Sequence, residues 1–435
     1  MSNFGFFYVV GTTKEEVDPN ITTLDGALEW LIANVDTDSH VKYAIQLDGT
    51  EVVKAWKTLQ CTNKAVEVRI CRYQAETSGA AVITFTTPDD IPAKKPDGIL
   101  VVDQGINLIL DQKITVSGGG NCPILKEYGG FILVLPKGKL TMEANSKITE
   151  VAVRHSSGAV TVNLTDSSEP SYFVMNGGEI SGNTVSGDTV SNIGDSPAVL
   201  LGRYGKFTMN GGLITNNTRG VVVSGLGACF TMEGGSITNN GTVDPAPPLP
   251  PNPSDPVIPR GLRGGGVCVG VNLTGGTFKM KGGTISGNGV NPAAGALPTP
   301  GGEVYVAASN ASLILNGVVN INSDNTVCLT NANPGNFPMI TLEDGFKDTN
   351  PLIKLDLAAT RPEWVPNWVG PKVLQLDGGT TPIPLALRER FVLGNFYYSS
   401  GNKDFEPSEV EPLLSEYEID DQGKLVLKPQ PNPGA

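Results

Sequence analysis

The chain has 435 residues, of which 53 are glycine and 32 proline, and only 17% are charged. That is more glycine and less charge than an average globular protein carries, and it agrees with a turn-rich all-β solenoid. The 31 basic and 44 acidic residues leave a net charge of −13, which repels phosphate backbones and anionic headgroups and argues against nucleic acid as a partner.

No run approaches the roughly 18 apolar residues needed to cross a bilayer, so no membrane span is expected. Met1 to Val10 has no basic region, and its apolar part, Phe4 to Val10, is broken by Gly5, which makes it a poor signal peptide. A leader absent from this chain would leave the same text, so the lack of one does not argue for a cytoplasmic location. Residues 22–35 carry the one clear helical pattern. Leu24, Ala27, Leu28, Leu31, Ile32 and Val35 share one helical face, and Thr22 with Asp25 fits a capping box. An amphipathic helix here is expected to cover the apolar end of a stacked core. Tyr43 to Leu47, Val66 to Ile70 and Val82 to Phe85 alternate as strands.

From about residue 98 a repeat becomes legible, and between 173 and 288 it is explicit: Phe-x-Met-x-Gly-Gly-x-Ile-(Ser/Thr), followed by asparagine. The copies place Phe173, Phe207, Phe230 and Phe278 two residues before Met175, Met209, Met232 and Met280. Alternation puts Phe and Met on one face of a short strand. The glycine pair bends the chain, and Ile180, Ile214, Ile237 and Ile285 begin a second strand. Asn183, Asn217, Asn240 and Asn288 follow at a constant offset, so stacking would align their amides into a hydrogen-bonded column. Leu110 with Ile114, Met142 with Ile148, and Leu315 with Ile321 are read as worn copies of the Met and Ile slots. A third strand of alternating valines, such as Val160/Val162, Val221/Val223, Val267/Val269 and Val304/Val306, precedes the Phe-x-Met strand. Three strands and three turns per unit predict a parallel β-helix, because no coil buries its apolar face alone. A leucine-rich repeat would need Leu-x-x-Leu-x-Leu spacing, which is not visible.

The longest insertion, 241–263, holds eight prolines between Pro245 and Pro259, and such a run is expected to be extended polyproline. Insertions at 184–197 and 289–302 leave from the same point of the repeat, so all three are expected on one side of the stack, where binding residues commonly gather. After about 350 the repeat ends. Trp364 and Trp368, strands near Leu352 to Leu357, Val373 to Leu376 and Phe391 to Tyr398, and a hairpin around Asp421-Gln422-Gly423 predict a C-terminal β cap or small module. The expected organisation is 1–97 for the cap helix and first coils, 98–350 for the repeat-bearing β-helix, and 351–435 for the C-terminal part. The 6 cysteines include no Cys-x-x-Cys pair and there are only 2 histidines, so neither a metal site nor any other cofactor is expected; Cys61 and Cys71 are the pair to examine for a disulfide.

The Gly-Gly-x-Ile-(Ser/Thr) repeat, the valine strand and the leading amphipathic helix together resemble right-handed parallel β-helices of the pectin-lyase-like superfamily, and within it repeats of bacterial surface and secreted proteins. Active members of that superfamily are polysaccharide enzymes. The resemblance therefore implies, for fold, an all-β right-handed parallel β-helix with an N-terminal helical cap and a C-terminal β cap. The Asn-Thr-Asp, Gly-His-Gly and Arg-Ile-Lys segments of polygalacturonases do not occur, and Asp-Asp stands only at Asp89-Asp90 and Asp420-Asp421, outside the repeat. The nearest approach to a pectate-lyase arginine segment, Ile258 to Arg263, has the wrong spacing.

Coils stacked about 4.8 Å apart would need two acids in equivalent slots to form a glycosidase pair. The slot after each Met reads Asn176, Asn210, Glu233 and Lys281, and the slot before each Ile reads Glu179, Leu213, Ser236 and Thr284, with no such pair. The outward slots of the valine strand read Thr161, Val222, Cys268, Tyr305 and Cys328, unusually apolar for a wet surface, so a loop of the chain or a partner is expected to cover them. The expectation is a monomeric, non-catalytic, adhesin-like binding protein of a bacterial surface or secretion, taking a carbohydrate or a host or surface protein. The candidate binding residues are Tyr305, Cys268, Val222, Arg219, Arg263 and Glu303. A polysaccharide lyase or hydrolase drawing on the loop residues Asp195, Arg219, Arg263 and Glu303, gathered at one edge, is the alternative, and a structural spacer the third reading.

Overall fold

A computed structural model describes residues 4–54, 56–73, 79–86, 98–120, 129–153, 157–185, 197–241, 265–270, 275–289, 302–307, 310–321, 326–331, 337–347, 352–359, 372–376, 379–398, 406–407 and 417–428. Among the described residues strand makes up 52% and helix 5%, against roughly 20–25% strand in an ordinary globular protein, so this is an all-β chain of solenoid type. It forms two compact units, Met1–Ser236 and Ile237–Ala435.

In the first unit the chain visits three sheets in rotation. Gly130–Val134 lies in one, Lys139–Met142 in the next and Lys147–Thr149 in the third, and the following coil repeats the visit with Gly158–Val162, Ser171–Met175 and Glu179–Ser181. Each strand pairs in parallel with its counterpart one coil on. The repeat determines the register. Leu110, Met142, Met175, Met209 and Met232 are successive partners, as are Leu108, Leu140, Phe173, Phe207 and Phe230. All are buried. Phe173 stacks on Phe207 at 4.6 Å and 9°, and Phe207 on Phe230 at 4.8 Å and 8°, the rung spacing of a parallel sheet.

The glycine pair has a steric cause. Gly212 adopts φ +94°, and a Cβ there would lie 2.7 Å from the carbonyl oxygen of Gly178 and 2.6 Å from the Met175 methyl. Gly212→Ala is expected to cost about 2–4 kcal/mol, combining the left-handed backbone penalty with displacement of a neighbouring rung. A urea midpoint unchanged from wild type would contradict this packing.

Two readings shift. Ile114 is not in the Ile slot: Val116 pairs with Ile148, which pairs with Ile180, while Ile114 faces Ala81. A turn one residue longer than the spacing suggests moved the register. The helix runs Leu24–Asn34 with Thr23, not Thr22, as its N-cap, its side chain accepting from the Gly26 amide. Asp25 instead accepts from the Lys54 amide at 2.9 Å and pairs with the Lys57 ammonium at 3.0 Å. Leu24, Ala27, Leu28 and Leu31 are buried against Lys42–Leu47, Thr50–Lys54 and Lys57–Leu59, whereas Ile32 is 44% exposed.

Strands also precede the helix. Gly5–Val10 pairs antiparallel with Lys42–Leu47 and with Thr13–Glu16, so the apolar start of the chain is a strand whose Phe6 and Tyr8 rings pack on Trp30 and Tyr43. Thr13–Glu16 is exposed throughout, and its charged side chains discourage pairing with another edge. Cys61 and Cys71 are free thiols.

The second unit repeats the plan. Gly276–Met280, Ala311–Leu315, Met339–Leu342 and Leu374–Leu376 follow one another in one parallel sheet, with Met280, Leu315, Leu342 and Leu376 in register. Ile285 pairs with Ile321 as the repeat predicts. Val267–Val269, Val304–Val306, Val327–Asn331, Ile353–Ala359 and Phe391–Tyr398 form another sheet, and Tyr417–Ile419 with Leu425–Leu427 is an antiparallel hairpin. Trp364, Trp368 and almost all of the three insertions lie outside the described residues.

Candidate functional site

The strands that carry the paired valines have no wet face, whereas Thr58 of Lys57–Leu59 and Val392 of Phe391–Tyr398 in the same sheets are exposed. In the first unit every residue of Gly98–Val102, Gly130–Val134, Gly158–Val162, Pro197–Leu201 and Arg219–Val223 is buried, including the outward Leu133, Thr161, Leu200 and Val222. The sequences GILVV, GFILV and PAVLL are near-continuous apolar runs rather than alternating ones. That is how a strand covered on both faces reads, and it was the signal that the valine strand lies inside.

Five of the six expected binding residues are therefore enclosed, and the sixth, Arg263, lies outside the described residues, as does Asp195. Val222 and Arg219 are buried in the first unit. In the second, Cys268, Tyr305, Cys328 and Asp356 are successive register partners in one buried column. Burial there, and then the charge of Asp356, push the Cys328 thiol well above its ordinary range.

Glu303 has a different position from the loop edge expected of it. Within each unit the asparagines stack and hydrogen-bond in the way the repeat predicts. In the first unit the Asn183 amide N–H and Nδ2 both donate to Asn217 Oδ1, at 3.2 and 2.8 Å, and Asn217 Nδ2 donates to the Ile180 carbonyl at 3.0 Å. In the second, the Asn240 N–H and Nδ2 donate to Asn288 Oδ1 at 3.0 and 2.9 Å. One rung on, the Asn288 N–H and Nδ2 donate to the Glu303 carboxylate at 3.3 and 2.6 Å. Glu303, fully buried, occupies the acceptor position that the next asparagine would fill, so its role is to receive the column.

The outside of the Phe-x-Met sheet is partly open among the described residues, with Ile109 and Thr141 buried on it. In the first unit its side chains fall in register rows. Lys139, Tyr172, Lys206 and Cys229 form one, and Thr141, Val174, Thr208 and Thr231 a second. The Tyr172 ring is 43% exposed between the two lysines; sequence reasoning passed over it because the motif was read from Phe173 onward. Alongside, Asn176 Nδ2 donates to Glu143 at 3.1 Å and Asn210 Nδ2 donates to Asn176 Oδ1 at 2.8 Å, giving an exposed amide row. Two other acids near this surface are paired with cations. Asp111 binds Arg69 at 2.8 Å and Glu179 binds Lys147 at 3.0 Å. Burial works to raise Glu179, but bonds from Ser181 and Lys147 hold its carboxyl below the usual range.

The equivalent face of the second unit is laced by side chains. The Lys279 ammonium meets Glu343 at 2.6 Å, Asn316 donates to the same carboxylate at 2.8 Å, and Gln375 donates to Thr341 at 2.9 Å. The Lys279 bond, followed by that of Asn316, holds the Glu343 carboxyl below its ordinary range. Among the described residues, no group of three or more His, Cys, Asp and Glu side chains could hold a metal ion, and no helix is long and apolar enough to cross a membrane. Comparison of the chain with protein-family models, with curated proteins and with solved structures gives no match in any of the three.

Proposed function

We propose that this chain is a non-catalytic carbohydrate-binding protein, secreted by or displayed on a bacterium, and built as a right-handed parallel β-helix. The three-sheet rotation and the strong preference for right-handed parallel crossovers support that fold. The helix Leu24–Asn34 would cap the first unit, and the strands and hairpin after 372 would cap the second. The observation that carries the function is the exposed Tyr172 ring, framed in register by Lys139 and Lys206 and flanked by the amide row Asn176–Asn210 and the hydroxyls of Thr208 and Thr231. An exposed ring offers a stacking platform for the apolar face of a sugar, and fixed amides and hydroxyls on a rigid sheet supply directional bonds to its hydroxyls.

The test is retention on a panel of immobilised neutral and acidic polysaccharides. Tyr172→Ala is expected to weaken binding roughly tenfold, the worth of about 1–1.5 kcal/mol of ring contact, without changing the unfolding midpoint. Binding indifferent to that substitution, or no retention on any polysaccharide, refutes the proposal. Unsaturated products or new reducing ends in the same incubations would establish the lyase or hydrolase alternative instead.

A further inference from the structure

The chain contains asparagine followed by glycine at Asn176, Asn210, Asn240, Asn288 and Asn316. Such pairs are chemically fragile, because a glycine nitrogen with no Cβ beside it can close on the preceding side-chain carbonyl carbon. The fold treats the five very differently. Asn240 and Asn288 are fully buried with their carboxamides held in the column, and the nitrogen following Asn288, that of Gly289, donates to the Asn240 carbonyl at 2.7 Å. The nitrogen after Asn316, that of Gly317, donates to the Gly345 carbonyl at 2.9 Å. After Asn210, Gly211 donates to the Met175 carbonyl at 3.3 Å. Asn176 is exposed, and the N–H of Gly177 meets no acceptor among the described residues.

The neighbours of Asn176 add to the contrast. Its Oδ1 accepts a hydrogen bond from Asn210 Nδ2 at 2.8 Å, which draws charge toward that oxygen as the carbonyl carbon is attacked. Its Nδ2 donates to Glu143 Oε1 at 3.1 Å, placing a carboxyl beside the nitrogen that must leave. We propose that Asn176 is the preferential deamidation site of this protein, converting through a cyclic imide with Gly177 to aspartate and isoaspartate.

In the first step the Gly177 nitrogen bonds to the Asn176 side-chain carbonyl carbon and gives up its proton. The bond from that carbon to Nδ2 breaks, and Nδ2 takes up a proton, relayed by Glu143 or solvent, and departs as ammonia. One water then adds to either ring carbonyl and opens the imide. The balance is one water consumed and one ammonia released, with no change of oxidation state. The product sets a carboxylate one rung, about 4.8 Å along the sheet, from Glu143, and the isoaspartate form also lengthens the backbone at the turn. This chemistry does not depend on what the face binds.

The test is incubation of the folded chain at mildly alkaline pH, with peptide mapping of amide-to-acid conversion at all five pairs and enzymatic methylation to count isoaspartate. Asn176 is expected to convert at least about fivefold faster than any of the other four, the effect of one net hydrogen bond of ~1 kcal/mol. In urea the five rates are expected to converge. Asn210→Ala is expected to slow conversion at Asn176 while leaving the unfolding midpoint within error. Asn176→Gln should abolish isoaspartate from this peptide. Conversion at Asn176 no faster than at Asn240 and Asn288 in the folded chain, or a rate ranking unchanged by urea, overturns the proposal.

Discussion

Asn217→Leu is expected to be among the most damaging single substitutions in the first unit, lowering its stability by about 4 kcal/mol. The side chain is buried, and three partners depend on it: the Asn183 N–H, the Asn183 carboxamide and the Ile180 carbonyl. Leucine fills the same volume and returns about 1 kcal/mol of apolar burial, but it leaves two donors and one acceptor in an apolar core. Each such orphan costs about 1–3 kcal/mol. Urea unfolding followed by circular dichroism measures the loss. Asn210→Leu is the comparison, since its amide is on the exposed row and the cost there should stay within about 1 kcal/mol. If the two substitutions cost the same, the buried column is not the strut that its geometry describes.

Phe207→Ala is the second. Phe207 lies between Phe173 and Phe230 with both rings nearly parallel to it, so truncation removes one fully buried ring and strands the contacts of two others. Large-to-small changes of this kind cost about 3–5 kcal/mol, with the upper end expected where backbone hydrogen bonds prevent collapse into the void. Here a parallel ladder holds the strands apart on both sides. Phe207→Leu, which keeps most of the volume, should cost no more than about 1.5 kcal/mol. An alanine variant as stable as one at exposed Tyr172 would mean that the Phe column does not share a common interior.

Comparison of single positions shows why some of this was readable and some was not. Met175, Met209 and Met232 recur with their phenylalanines at fixed offsets, and parallel pairing converts a fixed offset into a vertical neighbour; the columns of Met, Phe, Ile and Asn were therefore legible. Ile114 was misplaced because a turn can take up a residue without altering the apolar pattern, and only the hydrogen-bond register distinguishes it from Val116. Gly5–Val10 was passed over because its partner, Lys42–Leu47, is distant in sequence and antiparallel. Tyr172 was overlooked for a third reason. It is the one outward slot in its column filled by an aromatic residue, and a repeat search discards what does not recur.

The enclosed candidates show the limit most clearly. Alternation alone assigns Tyr305, Cys268 and Val222 to the outside of the strand, as an apolar strip that a loop or a partner would cover, and they are buried within the chain itself. Glu303 read as a loop-edge acid, yet it receives Asn288 inside the stack.

The linear order of residues was enough to determine the all-β class, the three-strand coil and the identity of the stacked columns, since these depend on short-range spacing that successive coils merely copy. Which surface faces water was decided only by the folded chain. Exposure depends on what lies over a strand, and the strand's own periodicity does not name that cover.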